Sequence, residues 1–421
     1  MNDLSRLRAG TESRHRVAVT GMGIKSPAGC DLESFWATLQ AGRSCAAPIR
    51  RIDASALPVS FACEIPDFDP EPYLGYKEAR RTDRVAQIGF AAAADALAHA
   101  GEPGADPARC GVVVGTGVGG LITQEEQEQE LFSRGPSRVS PFLVPMMMAN
   151  ATAALVAMKL GWTGANFCIC TACTSGAHAV GEAARLVRDG SAEVMLAGGT
   201  EACITPIALA SFARMGALST RSHEPERASR PFDPERDGFV IGEGAAFLVL
   251  ERWDRAESRA ARIWGEVAGY GRNADAYHVT APSPGGVGAA ACMQLALADA
   301  DLEPAAVSHI NAHGTGTPLN DAAEAEAIVK VFGEGAPPVT STKGAIGHLI
   351  GAAGAAEAVA TLLAIDKGVV PPTANHDRTD PELAIDVVAG KPREVTPGPA
   401  VSNSFGFGGH NATLVISAAS R

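Results

Sequence analysis

Cys173 follows a short apolar run, residues 167–171, and precedes a stretch, 175–189, whose Ala, Val and Leu recur at helical spacing up to a stop at Gly190. A cysteine at such a strand-to-helix turn faces the free N–H groups and positive dipole end of the helix. Both stabilise an anion, which lowers a thiol's pKa and supplies thiolate at neutral pH. The pattern predicts Cys173 as a nucleophile. Cys168 and Cys170 lie inside the run and read as small buried thiols. The three cysteines do not form a paired C-x-x-C with a second pair downstream, so no metal site is expected.

A thiolate alone supports acyl transfer, whereas making a carbon–carbon bond also requires groups that stabilise an enolate. Two histidine motifs offer them. NAHGTGT places His313 at the end of a strand, where α/β sheets present functional groups to a crevice. KGAIGH places His348 beside a Gly/Ala-rich helix start at 351–356. A neutral imidazole can donate a hydrogen bond from Nε2 to a developing oxyanion while the backbone holds its other nitrogen. A lone histidine is more often a satisfied structural residue, and the Gly/Thr-rich settings shift that balance for these two. His15, His99, His223, His309 and His376 have no such setting and read as surface or packing residues.

The elements that must position these groups recur along the chain. A buried strand begins at Arg16 and runs to Gly21 and Gly23, which read as a tight strand-to-loop turn because the dinucleotide fingerprint is not completed. The basic stretch YKEARRTDR, 76–84, opens an Ala-rich helix at 85–100. A strand at 110–115 and a glycine loop at 115–120 follow. The same succession returns later: a helix at 289–300, a break at Glu303 and Pro304, a strand at 307–312, then a Gly-Thr-Gly loop at 314–316. ALAHAGEP from Ala96 answers ALADADLEP from Ala296, which marks an internal duplication of two βα halves rather than a short-period solenoid. The join falls near 251–262, in a charged helical connector. Further strands are expected at 194–198, 245–250 and 412–416, with a short helix at 207–214.

With 421 residues, 46% hydrophobic and 46 Gly, the chain has the composition of a globular α/β protein with a large core. Its net charge of −12 argues against nucleic-acid binding, so an acidic partner must meet a local basic patch. Nine scattered cysteines favour a reducing cytosol over a disulfide framework. No apolar stretch reaches the roughly 18 residues a membrane span needs.

Four ordered motifs, TACTSGAHAVGEA, NAHGTGTPLND, KGAIGHLIGAAG and NSFGFGGHN, together resemble the β-ketoacyl-acyl-carrier-protein synthases, most closely the elongating type II condensing enzymes of bacterial fatty-acid synthesis. The likeness runs from about residue 16 to 416. It implies a thiolase fold, five αβαβα layers from two duplicated halves: a flexible tail at 1–15, a half at 16–257 with the nucleophilic cysteine, and a half at 258–421 with both histidines. By resemblance, Cys173 accepts the acyl chain, and His313 and His348 drive malonyl decarboxylation. Lys343 and its acidic partner Glu324 support them. Thr315 and Thr317 hold the phosphopantetheine arm. Phe407 gates the pocket, and its N–H joins that of Cys173 in an oxyanion hole. Plain loop capping remains open for the two threonines and core packing for Phe407. Lys77, Arg80 and Arg81, with Arg138 added, match a carrier-facing basic cluster, for which a solvated helix face is the alternative.

The resemblance further implies substrates carried on acyl carrier protein, no separate cofactor, no metal, and a homodimer or a heterodimer with a chain-length-factor-like subunit. Val118, Met146 and Met147 are expected at the pocket floor. The chain departs from the family pattern at Gly216, where an elongating synthase often has arginine. Two other functions share these motifs in whole or part: a type II polyketide ketosynthase subunit, and a catalytically silent subunit that shapes a partner's pocket. A biosynthetic thiolase would need a second cysteine near the C-terminus, yet the last is Cys292. A Cys-His-Asn starter synthase would carry asparagine in place of His348.

Overall fold

The fold is described from a computed structural model over residues 15–419; the expected tail lies outside the described residues apart from His15. Ten strands form one sheet: β1 (Val17–Lys25), β2 (Cys110–Gly115), β3 (Asn166–Ile169), β4 (Val194–Glu201), β5 (Gly244–Arg252), β6 (Gly265–Ala274), β7 (His309–Asn311), β8 (Val339–Thr340), β9 (Ala400–Gly406) and β10 (His410–Ser417). Their spatial order is β8-β7-β9-β10-β6-β1-β5-β4-β2-β3. Each half of that order repeats the other. In the first, β2 is parallel to β3 and β4, while β5 is antiparallel to β4 and β1. In the second, β7 is parallel to β8 and β9, while β10 is antiparallel to β9 and β6. The halves meet where β1 and β6 pair antiparallel through Ala18 with Glu266 and Val19 with Gly265.

Helices fill the remaining layers. α1 (Arg84–Ala100) covers β1, β5 and β4 on the outer face of the first half, with α2 (Ala151–Leu160) against it. α4 (Val287–Asp299) covers β6 and β10 on the outer face of the second, with α5 (Pro318–Phe332) against it. Between the halves lie α3 (Ser175–Arg188) and α6 (Ala353–Lys367), which pack on each other and on strands of both halves. The result is the five-layer αβαβα arrangement of the thiolase fold. Residues 353–365 of α6 are all buried, as expected of a helix that is apolar almost all round, Glu357 and Thr361 being the polar residues in that stretch. Small residues permit this: a Cβ on Gly354 would stand 2.7 Å from the Ala177 Cβ of α3.

Gly21 and Gly23 do not form the expected turn. Both lie inside β1, paired with Val249 and Phe247, and a Cβ there would stand 2.3 Å from the Ala96 carbonyl oxygen and 2.0 Å from that of Ala92. The glycines let α1 press onto the strand. Gly269 and Gly271 of β6 do the same under α4, where Cβ atoms would meet the carbonyl oxygens of Ala296 at 2.3 Å and Cys292 at 2.2 Å. The duplication read from the helices therefore extends to the strand glycines beneath them. The other expected strands and the helix at 85–100 form with shifts of at most three residues, and the extra β4 residues 199–201 complete its pairing with the start of β5. No helix among the described residues is long and apolar enough to cross a membrane.

Candidate active site

After β3 the backbone turns sharply at Ala172, whose φ of +50° is uncommon for a residue with a side chain. Cys173 sits in the short turn Ala172–Thr174 at the mouth of α3. Side chains fix this turn: Ser175 Oγ accepts from the Thr171 N–H at 2.9 Å and donates to the Ala172 carbonyl at 2.6 Å, and Thr174 Oγ1 donates to the Thr171 carbonyl at 2.6 Å. From the other half, the end of β9 closes on it, since a Cβ on Gly406 would be 3.2 Å from the Cys173 nitrogen. That approach delivers the N–H of Phe407 to the Cys173 sulfur, where the cysteine's own N–H also bonds.

Burial nonetheless pushes the Cys173 thiol up to about 11, against the pull of the Lys343 ammonium and those two N–H groups. This reverses the direction expected from the helix terminus, because desolvation of a thiolate in this packed turn outweighs the favourable donors.

His313 follows β7, and His348 follows the short helix Lys343–Ile346; their rings meet edge-on with centroids 5.4 Å apart. Lys343 Nζ donates to the His313 carbonyl at 2.6 Å and lies 3.4 Å from its Nδ1. An ammonium facing Nδ1 leaves Nε2 as the nitrogen that carries the proton. The ring is therefore held by lysine rather than by the expected backbone group. His348 is held by its backbone, its N–H donating to the Val240 carbonyl at 2.7 Å, and by the Phe239 ring at 5.2 Å. Among the described residues, neither ring nitrogen of His348 has a hydrogen-bond partner. Burial, reinforced by the nearby Lys343 charge, holds both imidazoles well below their ordinary range, so both are neutral at pH 7.

Lys343 is not paired with Glu324 as the resemblance implied. Its ion-pair partner is Glu357 on α6, one turn into the central helix and equally buried. Glu324 on α5 instead accepts from the N–H groups of His313 at 2.8 Å and Gly314 at 2.7 Å, which anchors the histidine loop; burial raises its carboxyl to about 7. Sequence alone showed no role for Glu357, which stands in an alanine run just past the KGAIGHLIGAAG motif. Its signal was available in principle: a carboxylate in the middle of an Ala/Leu/Val-rich helix requires a buried partner.

Cys173, His313 and His348 line one cavity of about 620 Å³, together with Thr315, Thr317 and Phe407. The two threonine hydroxyls are 2.9 Å apart. Val118 lines this cavity as expected, and Met146 and Met147 do not: their backbone packs against Gly120 behind it. Gly216 also lines the cavity, with φ of +67°, a conformation that an arginine would adopt only under strain. The basic residues Lys77, Arg80, Arg81 and Arg138 are all exposed. Lys77 lies on a separate short helix, Tyr76–Ala79, rather than at the opening of α1, which Asp83 caps. Arg80 donates to the Tyr76 hydroxyl at 2.7 Å, and Arg81 covers the Phe142 ring at 4.9 Å.

Comparison with known proteins places this geometry. Residues 14–256 match the family described as "Beta-ketoacyl synthase, N-terminal domain", and residues 264–377 match "Beta-ketoacyl synthase, C-terminal domain". The chain is 48% identical over 409 residues to "3-oxoacyl-[acyl-carrier-protein] synthase 2" of Synechocystis sp., covering 96% of this chain and 98% of that protein. Among solved structures it is similar to "The ishigamide ketosynthase/chain length factor", with TM-score 0.92, 37% identity and coverage of 97% and 100%. It is also similar to a type II polyketide ketosynthase solved with its acyl-carrier protein, with TM-score 0.88, 31% identity and coverage of 96% and 100%. With both family models matched in order across the sheet halves that supply the thiol and the imidazoles, the chain belongs to the β-ketoacyl synthase family.

Proposed function

We propose that the chain is a 3-oxoacyl-[acyl-carrier-protein] synthase, which extends an acyl chain by decarboxylative condensation with malonyl carrier protein in fatty-acid elongation. One observation carries this reading: a thiol and two neutral imidazoles face one cavity, with no hydrogen-bond partner on either nitrogen of His348 among the described residues. The sulfur of Cys173 attacks the carrier thioester, the N–H groups of Phe407 and Cys173 receive the developing oxyanion, and the acyl group moves to sulfur while the carrier thiol departs with the proton. Malonyl carrier then binds in the emptied entrance. Loss of CO₂ leaves an enolate whose oxygen accepts hydrogen bonds from His313 Nε2 and from His348. Its carbon attacks the Cys173 thioester, expels the thiolate and yields a 3-oxoacyl carrier two carbons longer. Neutral imidazoles suit this step, because imidazoliums would protonate the nucleophilic carbon.

Thr315 and Thr317 bind the phosphopantetheine arm that delivers both substrates, so no further cofactor is invoked. Lys77, Arg80, Arg81 and Arg138 form the docking patch for the acidic carrier, since a chain of net charge −12 must concentrate its cations to attract one. The protein works as a cytoplasmic homodimer, residues 16–257 of each copy contributing the nucleophile and 258–421 the histidines.

A second reading, a type II polyketide ketosynthase subunit paired with a chain-length factor, draws on the likeness to ketosynthase structures of that kind. Extension of a decanoyl carrier by the purified chain alone supports the fatty-acid role. Extension only after a partner subunit is added supports the polyketide role. A silent pocket-shaping subunit would lack the nucleophile that Cys173 supplies.

A further inference from the structure

Behind the cavity, at the end of β4, Glu201 is wholly buried, yet no step above uses it. Its Oε1 accepts from Thr116 Oγ1 at 3.0 Å; its Oε2 accepts from the Gly117 N–H at 2.6 Å and from the Gly351 N–H at 3.0 Å. The Val118 N–H also bonds to it. These donors come from two separate segments, the glycine loop after β2 and the turn Ile350–Ala352 that enters α6. Both contribute to the cavity wall, through Val118 and Ile350, and Ile350 stands two residues after His348.

The arrangement leaves no slack. A Cβ on Gly351 would be 2.3 Å from the Gly117 nitrogen and 2.7 Å from Glu201 Oε2, and a Cβ on Gly117 would be 2.7 Å from the same oxygen. Two glycines are therefore required for one carboxylate to reach both segments. Ile350 takes φ of +46°, an unfavourable conformation for a β-branched residue, which persists only where its surroundings impose it.

We propose that Glu201 is a positioning residue for the condensation: its carboxylate clamps the glycine loop to the turn behind His348 and so sets the catalytic imidazole and the cavity wall together. The inference rests on the condensing function proposed above. Chemistry favours the ionised form in this role, because the N–H groups of Gly117, Val118 and Gly351 can only donate, and Thr116 Oγ1 already accepts from the Gly119 N–H at 3.2 Å. A protonated carboxyl would bring another donor to a site already filled with them.

Charge in the surroundings does little to secure ionisation. The groups that face Glu201 are the thiols of Cys168 and Cys170 from the β3 end, Cys173 from the turn before α3, and Cys203 just after β4. Burial raises the carboxyl to about 7, opposed by the donors of Gly117, Gly351, Thr116 and Val118. The clamp therefore tightens as pH rises through 7 and loosens as it falls.

The test is the pH dependence of condensation by the full-length protein, with kcat and KM measured between pH 6 and 9 for wild type, Glu201→Gln and Thr116→Val. Glu201→Gln, which turns an amide N–H₂ toward backbone donors, is expected to lower kcat at pH 8 roughly tenfold or more while KM for the carrier stays unchanged. It is also expected to reduce the fall in kcat below pH 7 seen in wild type. Thr116→Val removes one donor and keeps the carboxyl, so its activity limb should move to higher pH; this variant carries the test if Glu201→Gln does not fold. A wild-type chain without condensation activity overturns the proposed function and this inference with it. An active wild type whose Thr116→Val limb stays in place, or whose Glu201→Gln variant keeps the wild-type kcat and profile, overturns this inference alone.

Discussion

The ammonium of Lys343 donates to the backbone carbonyl of His313 at 2.6 Å, which ties the lysine directly to the histidine and only through Glu357 to the central helix. Two charges buried together in that way are held by each other, and removing one leaves the other without compensation. Glu357→Ala is therefore expected to destabilise the protein by about 3–5 kcal/mol. Glu324→Ala should cost less, because it frees two backbone N–H groups and the Asn403 side-chain amide rather than a full charge. Denaturant unfolding of both variants checks the order, and equal losses would argue against Glu357 as the partner that matters.

The Cys173 thiol is held at about 11 by burial, so only a small share is thiolate near neutrality. Alkylation of Cys173 by iodoacetamide, followed by mass, should accelerate about tenfold per pH unit between pH 7 and 10. A rate that levels off near pH 7 would show instead that the α3 terminus and the Phe407 N–H outweigh desolvation.

His313 and His348 act after the acyl group has reached sulfur. His313→Ala and His348→Ala should each lower condensation by about 10²–10³ while Cys173 is still acylated by an acyl carrier. Product chromatography alongside intact-protein mass separates the two steps. Loss of acylation in either variant would move that histidine into the first half-reaction.

The basic patch should act on binding rather than chemistry. Lys77→Glu, Arg80→Glu and Arg81→Glu combined are expected to raise KM for the acyl carrier and weaken its dependence on salt, with kcat unchanged. An unchanged KM would remove the three residues from the docking surface.

Much of this organisation was legible in the sequence because it rests on local signals. The strand-to-helix turn around Cys173, the two Gly/Thr-rich histidine loops and the repeated succession of helix, break, strand and Gly-Thr-Gly all survive in the fold. What was hidden depends on contacts between distant segments. Gly21 and Gly23 looked like a turn because nothing nearby in the chain shows that α1 presses on them. The resemblance pointed to Glu324, which follows His313 in the chain, as the acidic partner of Lys343. Glu357 takes that place only because α6 threads between the halves. Glu201 is equally silent in sequence, as its donors come from positions 85 residues before it and 150 after it. The thiol's direction of shift could not be read either, since the helix terminus is visible in the sequence and the depth of burial is not.

The mass of Cys173 after incubation with an acyl carrier, and again after malonyl carrier is added, tests the central chemistry most directly. The acyl group is expected on Cys173 in the first spectrum, and in the second it should be gone, with a 3-oxoacyl carrier two carbons longer in solution. A Cys173→Ala protein that forms this product undiminished, or a wild-type Cys173 that never acquires the acyl mass, would contradict it.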